Sequence, residues 1–122
     1  MQKNLLMVHQ WLVRIFMAGL LVQFYLAGTA VFGAESYQPH RMLGFALTIL
    51  VILMLVLALV GRLGRKVVGM ALLLVLLVIV QALLPALRGP APWIAALHPA
   101  NALVLMGVSV RLSRAGQAEA AG

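Results

Sequence analysis

The chain is 122 residues long, 65% hydrophobic and only 9% charged, with a mean hydropathy of +1.12 and a net charge of +7. Soluble domains are about 45–50% apolar and about 25% charged, so these values exclude an ordinary water-soluble domain, a disordered chain and a collagen-like one. Cysteine is absent, which removes disulfides, thiolate metal sites, iron–sulfur ligation and c-type haem attachment.

Four charge-free stretches, 15–34, 42–61, 67–87 and 89–110, take up most of the chain. Each is long enough for a spanning helix, which needs about 20 apolar residues. One four-helix transmembrane domain over residues 1–115 is therefore expected, its partner the lipid bilayer. The excess of positive charge sits between apolar runs rather than in a stripe interleaved with aromatics, so nucleic acid is not an expected partner.

Helix 1 is expected at about 6–33. Its charge-free run exceeds the 7–15 residues of a signal-peptide core, and Phe32 would fill the small-residue position before a cut after Ala34. It is read as a retained helix. Gln23 shares a face with Gly19, Ala27, Ala30 and Ala34, a small-residue surface that lets helices approach closely. Gln23 is expected to make an interhelical hydrogen bond worth around 0.6 kcal/mol, and Gly28 and Gly44 to sit at close approaches. Arg14 should snorkel to the inner interface. His9 is read as a solvated or headgroup-facing side chain at that rim.

Helix 2 follows at about 39–61, with Pro39 suited to a helix start. Residues 62–66 (Arg-Leu-Gly-Arg-Lys) read as a tight turn before helix 3 at about 67–87. Residues 88–92 (Arg-Gly-Pro-Ala-Pro) form the next connection, with Trp93 placed for the interface belt. Helix 4 is expected at about 92–113, kinked or restarted at Pro99, with 116–122 a flexible tail. Helices 2 and 3 are nearly all Leu, Val, Ile and Met, so periodicity does not separate their lipid faces from their core faces. The fold class is all-α, an integral membrane up-down-up-down bundle.

Orientation follows from Lys and Arg. With the N-terminus inside, Lys3, Arg14, Arg62, Arg65, Lys66, Arg111 and Arg114 are cytoplasmic, and only Arg41 and Arg88 lie outside. Both termini are thus expected in the cytoplasm.

No dinucleotide-binding, P-loop or nucleophile-elbow motif is present. The two acids, Glu35 and Glu119, stand far apart in the chain, so no carboxylate pair serves acid–base work and no acid-rich proton relay exists. No catalytic residue is assigned. The seven methionines are scattered and read as packing.

His40 and His98 carry the chemistry. Two crossings separate them, so both fall toward the outer side, at the starts of helices 2 and 4. Those helices are diagonal partners in a simple bundle. Neighbouring axes at 8–10 Å put diagonal axes about 13 Å apart, roughly the span of imidazole–iron–imidazole with metal–nitrogen bonds near 2 Å. One turn further along the same faces stand Gly44 and Ala102, small enough to leave room for a flat macrocycle. This gives a b-type haem (haem b) ligated by His40 and His98, its propionates toward Arg41 or Arg88. The other reading makes both histidines interfacial residues bonded to loop carbonyls or headgroups. Spacing alone leaves the two open.

The segments QFYLAGTAVFG (23–33), HRMLG (40–44) and LHPANAL (97–103) resemble a family of small uncharacterised four-helix bacterial membrane proteins, over nearly the whole chain. That pattern is similar in turn to one half of haem A synthase. There each half carries a histidine at the outer end of its second and fourth helices, the former often followed by arginine. His40, Arg41 and His98 match. Haem A synthase has two halves and an essential acid in its first outer loop region, whereas this chain has one half, with Glu35 only a loose match. The resemblance implies a bacterial cytoplasmic membrane and haem binding, in a cytochrome b-like electron-transfer or redox-sensing subunit, and does not imply haem A synthesis. The alternative is a cofactor-free accessory subunit packed against a larger membrane complex. A membrane redox complex or a second copy of the chain is the expected protein partner.

Overall fold

In the computed structural model, residues 1–121 are described, and nearly all of them are helical. Helix α1 spans Gln2–Val31, α2 Gln38–Val60 and α3 Arg65–Leu83, continued by a 3-10 turn at Leu84–Arg88. A single turn, α4 (Pro92–Ala95), precedes α5 (Leu97–Ala121). Four helical segments are long and apolar enough to cross a membrane: Gln2–Val31, Gln38–Val60, Arg65–Arg88 and Pro92–Ala120. This is the composition of a multi-pass membrane protein.

The breaks have local causes. After α1, Gly33 adopts φ +74°, a left-handed conformation that glycine takes without steric cost. Thr29 O then accepts from Ala34 N at 2.8 Å. Pro39 lies in the first turn of α2, where its missing N–H costs no hydrogen bond. Between α2 and α3 the chain turns through Arg62 (φ +49°) and Gly64 (φ +90°). Pro85 tightens the end of α3 into the 3-10 turn. The expected restart near Pro99 falls at Ala96, so Pro99 lies in the first turn of α5.

Helix α1 packs against α2 and α5, and α3 packs against the same two. Hence α2 and α5 face each other diagonally, as do α1 and α3. The buried residues fall at three- and four-residue steps on each helix: Val13, Phe16 and Leu20 on α1; Leu47, Val51, Met54 and Ala58 on α2; Val67, Ala71, Leu74 and Val78 on α3. These stripes define the core faces that composition left undivided.

They also show an internal two-fold. Each core residue of the α1–α2 hairpin maps on to the residue 58 positions later in α3–α5: Val13 on Ala71, Phe16 on Leu74, Leu47 on Leu105, Val51 on Ser109, Met54 on Leu112. Every one of these is buried. The two hairpins thus pack with the same register about a common axis.

Two expectations are corrected. The last helix does not end near 113: α5 runs on to Ala121, through the segment expected as a tail, while Gly122 lies outside the described residues. The extension is held at its base: Ser113 Oγ donates to Gln10 Oε1 at 3.4 Å, Gly116 lies under the Gln10 amide, and the Glu119 carboxylate lies over Gly64. Nor is Gly28 a close approach, since a Cβ there would meet nothing within 4 Å. Toward the histidine end the tight glycines are Gly19, against Leu47, and Gly44, where a Cβ would lie 2.8 Å from Gln23 Nε2; Gly61, Gly64 and Gly116 are tight at the other end.

Candidate functional site

His40 stands in the first turn of α2 and His98 in the first turn of α5, the diagonal pair. Their rings nevertheless meet across the axis, with centroids 6.0 Å apart and planes at 61°. Both side chains are half-buried. Tyr37 packs edge-on to His40 at 6.4 Å.

Each imidazole is tethered in the same way. His40 Nδ1 lies 3.2 Å from the backbone oxygen of Gln23, and His98 Nδ1 lies 3.0 Å from that of Gln81. A carbonyl oxygen only accepts, so Nδ1 is the protonated nitrogen in both rings. The Nε2 atoms are left with bare lone pairs. Such a bond on the far nitrogen fixes tautomer and ring orientation and raises ligand basicity. Both tethers span 17 residues, so Gln23–His40 and Gln81–His98 are the same device repeated by the internal two-fold. That repeated spacing was legible in the chain and is the signal a motif search overlooks.

Around the pair the two halves differ. Gln23 does not make the expected side-chain bond: its carbonyl serves His40, its Nε2 lies over Gly44, and its buried Oε1 has no protein partner. Gln81 Oε1 instead accepts from Asn101 Nδ2 at 2.7 Å, and the same Nδ2 reaches Leu77 O at 3.0 Å. Ala102, half-buried, occupies the position equivalent to Gly44. Thr48 and Ser109, further along the two faces, return their hydroxyls to Gly44 O and Leu105 O. Arg41 is exposed and opens on a surface cavity of about 650 Å³ lined with Gln38, Met42 and Phe45. Arg88 is exposed on the 3-10 turn. Glu35 makes only a local bond, accepting from Ser36 N. Of the methionines, Met54 is buried in the core, and Met17, Met70 and Met106 pack against it.

The pair can be tested for a metal. Among the described residues, no group of three or more His, Asp or Glu is placed to hold an ion, so the protein offers two nitrogens and no third donor. An iron between the two Nε2 atoms, at bonds of about 2 Å, would put the ring centres roughly 6 Å apart, as they stand. Two imidazole donors at that separation would suit a metal that brings its other ligands with it.

Residues 23–87 match a family of unknown function, DUF6220. The chain belongs to that family. The DUF6220 match takes in His40 and both tethering glutamines, Gln23 and Gln81, and stops short of His98. No curated protein and no solved structure matches the chain.

His9 overturns its sequence reading. It is fully buried, and neither ring nitrogen has a protein partner. It falls on the same stripe as Leu6, Val13 and Phe16, a spacing that could have placed it inward. Along α1 it lies ~21 Å from the level of Gln23. Leaving a buried polar group unpaired costs about 1–3 kcal/mol, so His9→Leu should raise thermal stability in detergent. A lower melting temperature would mean that the imidazole is satisfied after all.

Proposed function

We propose that the chain is a four-pass membrane protein that holds one b-type haem between His40 and His98, for electron transfer or redox sensing. The observation that carries this reading is the 6.0 Å ring separation, together with the two Nδ1 tethers. Bound there, haem would supply one-electron ferric–ferrous chemistry, its potential tuned by two neutral imidazoles and a buried surrounding. The protein's own part is to hold two tethered imidazoles side by side, each with its Nδ1 engaged by a backbone oxygen. The small residues Gly44 and Ala102 keep side-chain bulk away one turn further on, and Arg41 or Arg88 would pair with propionates at the rim.

Membrane insertion is supported by large apolar side chains left more than half exposed on every long helix: Leu21, Leu53, Leu76 and Leu103. In an up-down-up-down bundle the contacts of Gln2 with Arg62 O and of Ser113 with Gln10 gather the termini and the basic turn at one end. The Lys/Arg bias assigns that end to the cytoplasm, in a bacterial cytoplasmic membrane. A reporter active only outside the membrane should be silent when fused at Gly122 and active when inserted after Ser36. The reverse pattern would overturn this orientation.

The haem reading is tested by absorption spectra of the purified protein, oxidised and dithionite-reduced. A six-coordinate low-spin b-type spectrum is expected. Colourless protein from cells supplied with ample haem would leave the accessory-subunit alternative standing.

A further inference from the structure

At the end of the molecule opposite the histidine pair, a groove of about 270 Å³ runs between α1 and α5. Lys3, Met7, Gln10 and Arg14 line it as one stripe of α1, facing Gly116 and Gln117. Gln10 is 92% buried, and its Nε2 has no partner in the protein, while its Oε1 is occupied by Ser113. That nitrogen lies over Gly116, where any side chain would displace it. The Arg14 guanidinium sits 4.9 Å above the Trp11 ring, which positions the cation without neutralising it. Among the described residues no carboxylate lines the groove, since Glu119 is turned to Gly64.

The wall therefore offers two cations beside the apolar Leu6 and Met7, with the Gln10 amide closed over Gly116 at its base. That combination suits an anion with several oxygens attached to a hydrocarbon tail. The internal two-fold supplies a comparison within the molecule. At the positions equivalent to Lys3, Gln10, Trp11 and Arg14, the second hairpin has Gly61, Val68, Gly69 and Leu72. The core is repeated between the halves and this polar set is not, so core packing does not account for it.

We propose that the groove binds the headgroup phosphate of an anionic phospholipid in the leaflet at the basic end. The phosphate lies between Lys3 and Arg14 beside the Gln10 side chain, with the acyl chain against the apolar wall. The inference requires the chain to be in a bilayer and is independent of haem.

The test uses the full chain carrying Trp93→Phe, which leaves Trp11 as the one tryptophan, in bilayer nanodiscs of phosphatidylcholine with a minor fraction of phosphatidylglycerol. Quenching of Trp11 is compared for brominated phosphatidylglycerol and brominated phosphatidylcholine at equal mole fraction. At about fivefold per surface cation, phosphatidylglycerol should be enriched roughly tenfold or more beside Trp11. Lys3→Gln with Arg14→Gln should bring the ratio close to one. Both side chains are exposed, so folding is spared. Arg65→Gln with Lys66→Gln removes equal charge at the same end outside the groove and should leave the ratio nearly unchanged. Equal quenching by the two lipids, or equal loss in the two double variants, would overturn the site. Displacement of the lipid by millimolar inorganic phosphate would reassign the groove to a free anion and overturn the lipid.

Discussion

Protein carrying His40→Ala or His98→Ala should lose the narrow reduced α band of a six-coordinate low-spin b-type centre. With one imidazole gone, the remaining ring still has its backbone tether, Gln81 O for His98 or Gln23 O for His40. The iron would then be five-coordinate and high-spin, or haem would be lost. Outer-shell partners of metal ligands are commonly worth 10–100-fold in affinity, so removing a ligand itself should weaken haem retention by about 100-fold or more. Both variants should lose the band, because the two rings are held by equivalent backbone tethers. Arg41→Ala should be milder, shifting the midpoint potential and keeping the haem, since Arg41 is exposed and does not share the ring–ring contact. His9→Leu should keep the parent spectrum, being a bundle length away. If both histidine variants kept the parent spectrum, the pair would not be the ligand set.

Gly44→Leu should destabilise the bundle and loosen the histidine site together. A Cβ at Gly44 would stand 2.8 Å from Gln23 Nε2, and leucine carries three further carbons into the same space. Overpacking of this kind costs about 1–3 kcal/mol, which for a chain of this size is a fall of about 5–10 °C in thermal midpoint. Gln23 is also the residue whose carbonyl holds His40, so haem retention should fall with stability. Gly28→Leu is the internal control. Nothing lies within 4 Å of its Cβ position, and leucine is a better helix former than glycine by up to about 1 kcal/mol, so the variant should melt at the same temperature or slightly higher. Leu53→Ala should be nearly silent, because Leu53 is exposed. Thermal unfolding in detergent followed by circular dichroism decides the matter, and equal losses for Gly44→Leu and Gly28→Leu would refute this account of the helix faces.

The number of long helices and their approximate ends were legible because hydropathy and turn chemistry are local. Arg62–Gly64 and Gly33 mark their breaks with residues whose backbone preferences are known. The pairing of His40 with His98 was legible because it needed only crossing number and the diagonal rule. The faces of α2 and α3 were not, since Leu, Val and Ile serve lipid and core equally well. Gln23 shows the other limit. Composition proposes a side-chain bond for it, but its main-chain oxygen does the holding, and main-chain acceptors leave no trace in residue type. The end of α5 was misjudged for a related reason: residues 116–120 read as small and polar, yet Gly116 is the seat of Gln10, and only the packed partner reveals that use. The inward turn of His9 could have been caught from its place among Leu6, Val13 and Phe16, where periodicity outweighs polarity.

Each histidine is tied to a glutamine only 17 residues away within its own hairpin. Contacts of such short range close with little loop entropy and form early. Both tethers can therefore close within a single hairpin, before one half docks on the other. If haem binds as proposed, a macrocycle captured as the halves dock would act as mortar between two laid courses. Its affinity would draw on surfaces already ordered rather than on ordering them. In a cell short of haem the deficit would then fall on the joint between the halves and leave the halves themselves intact.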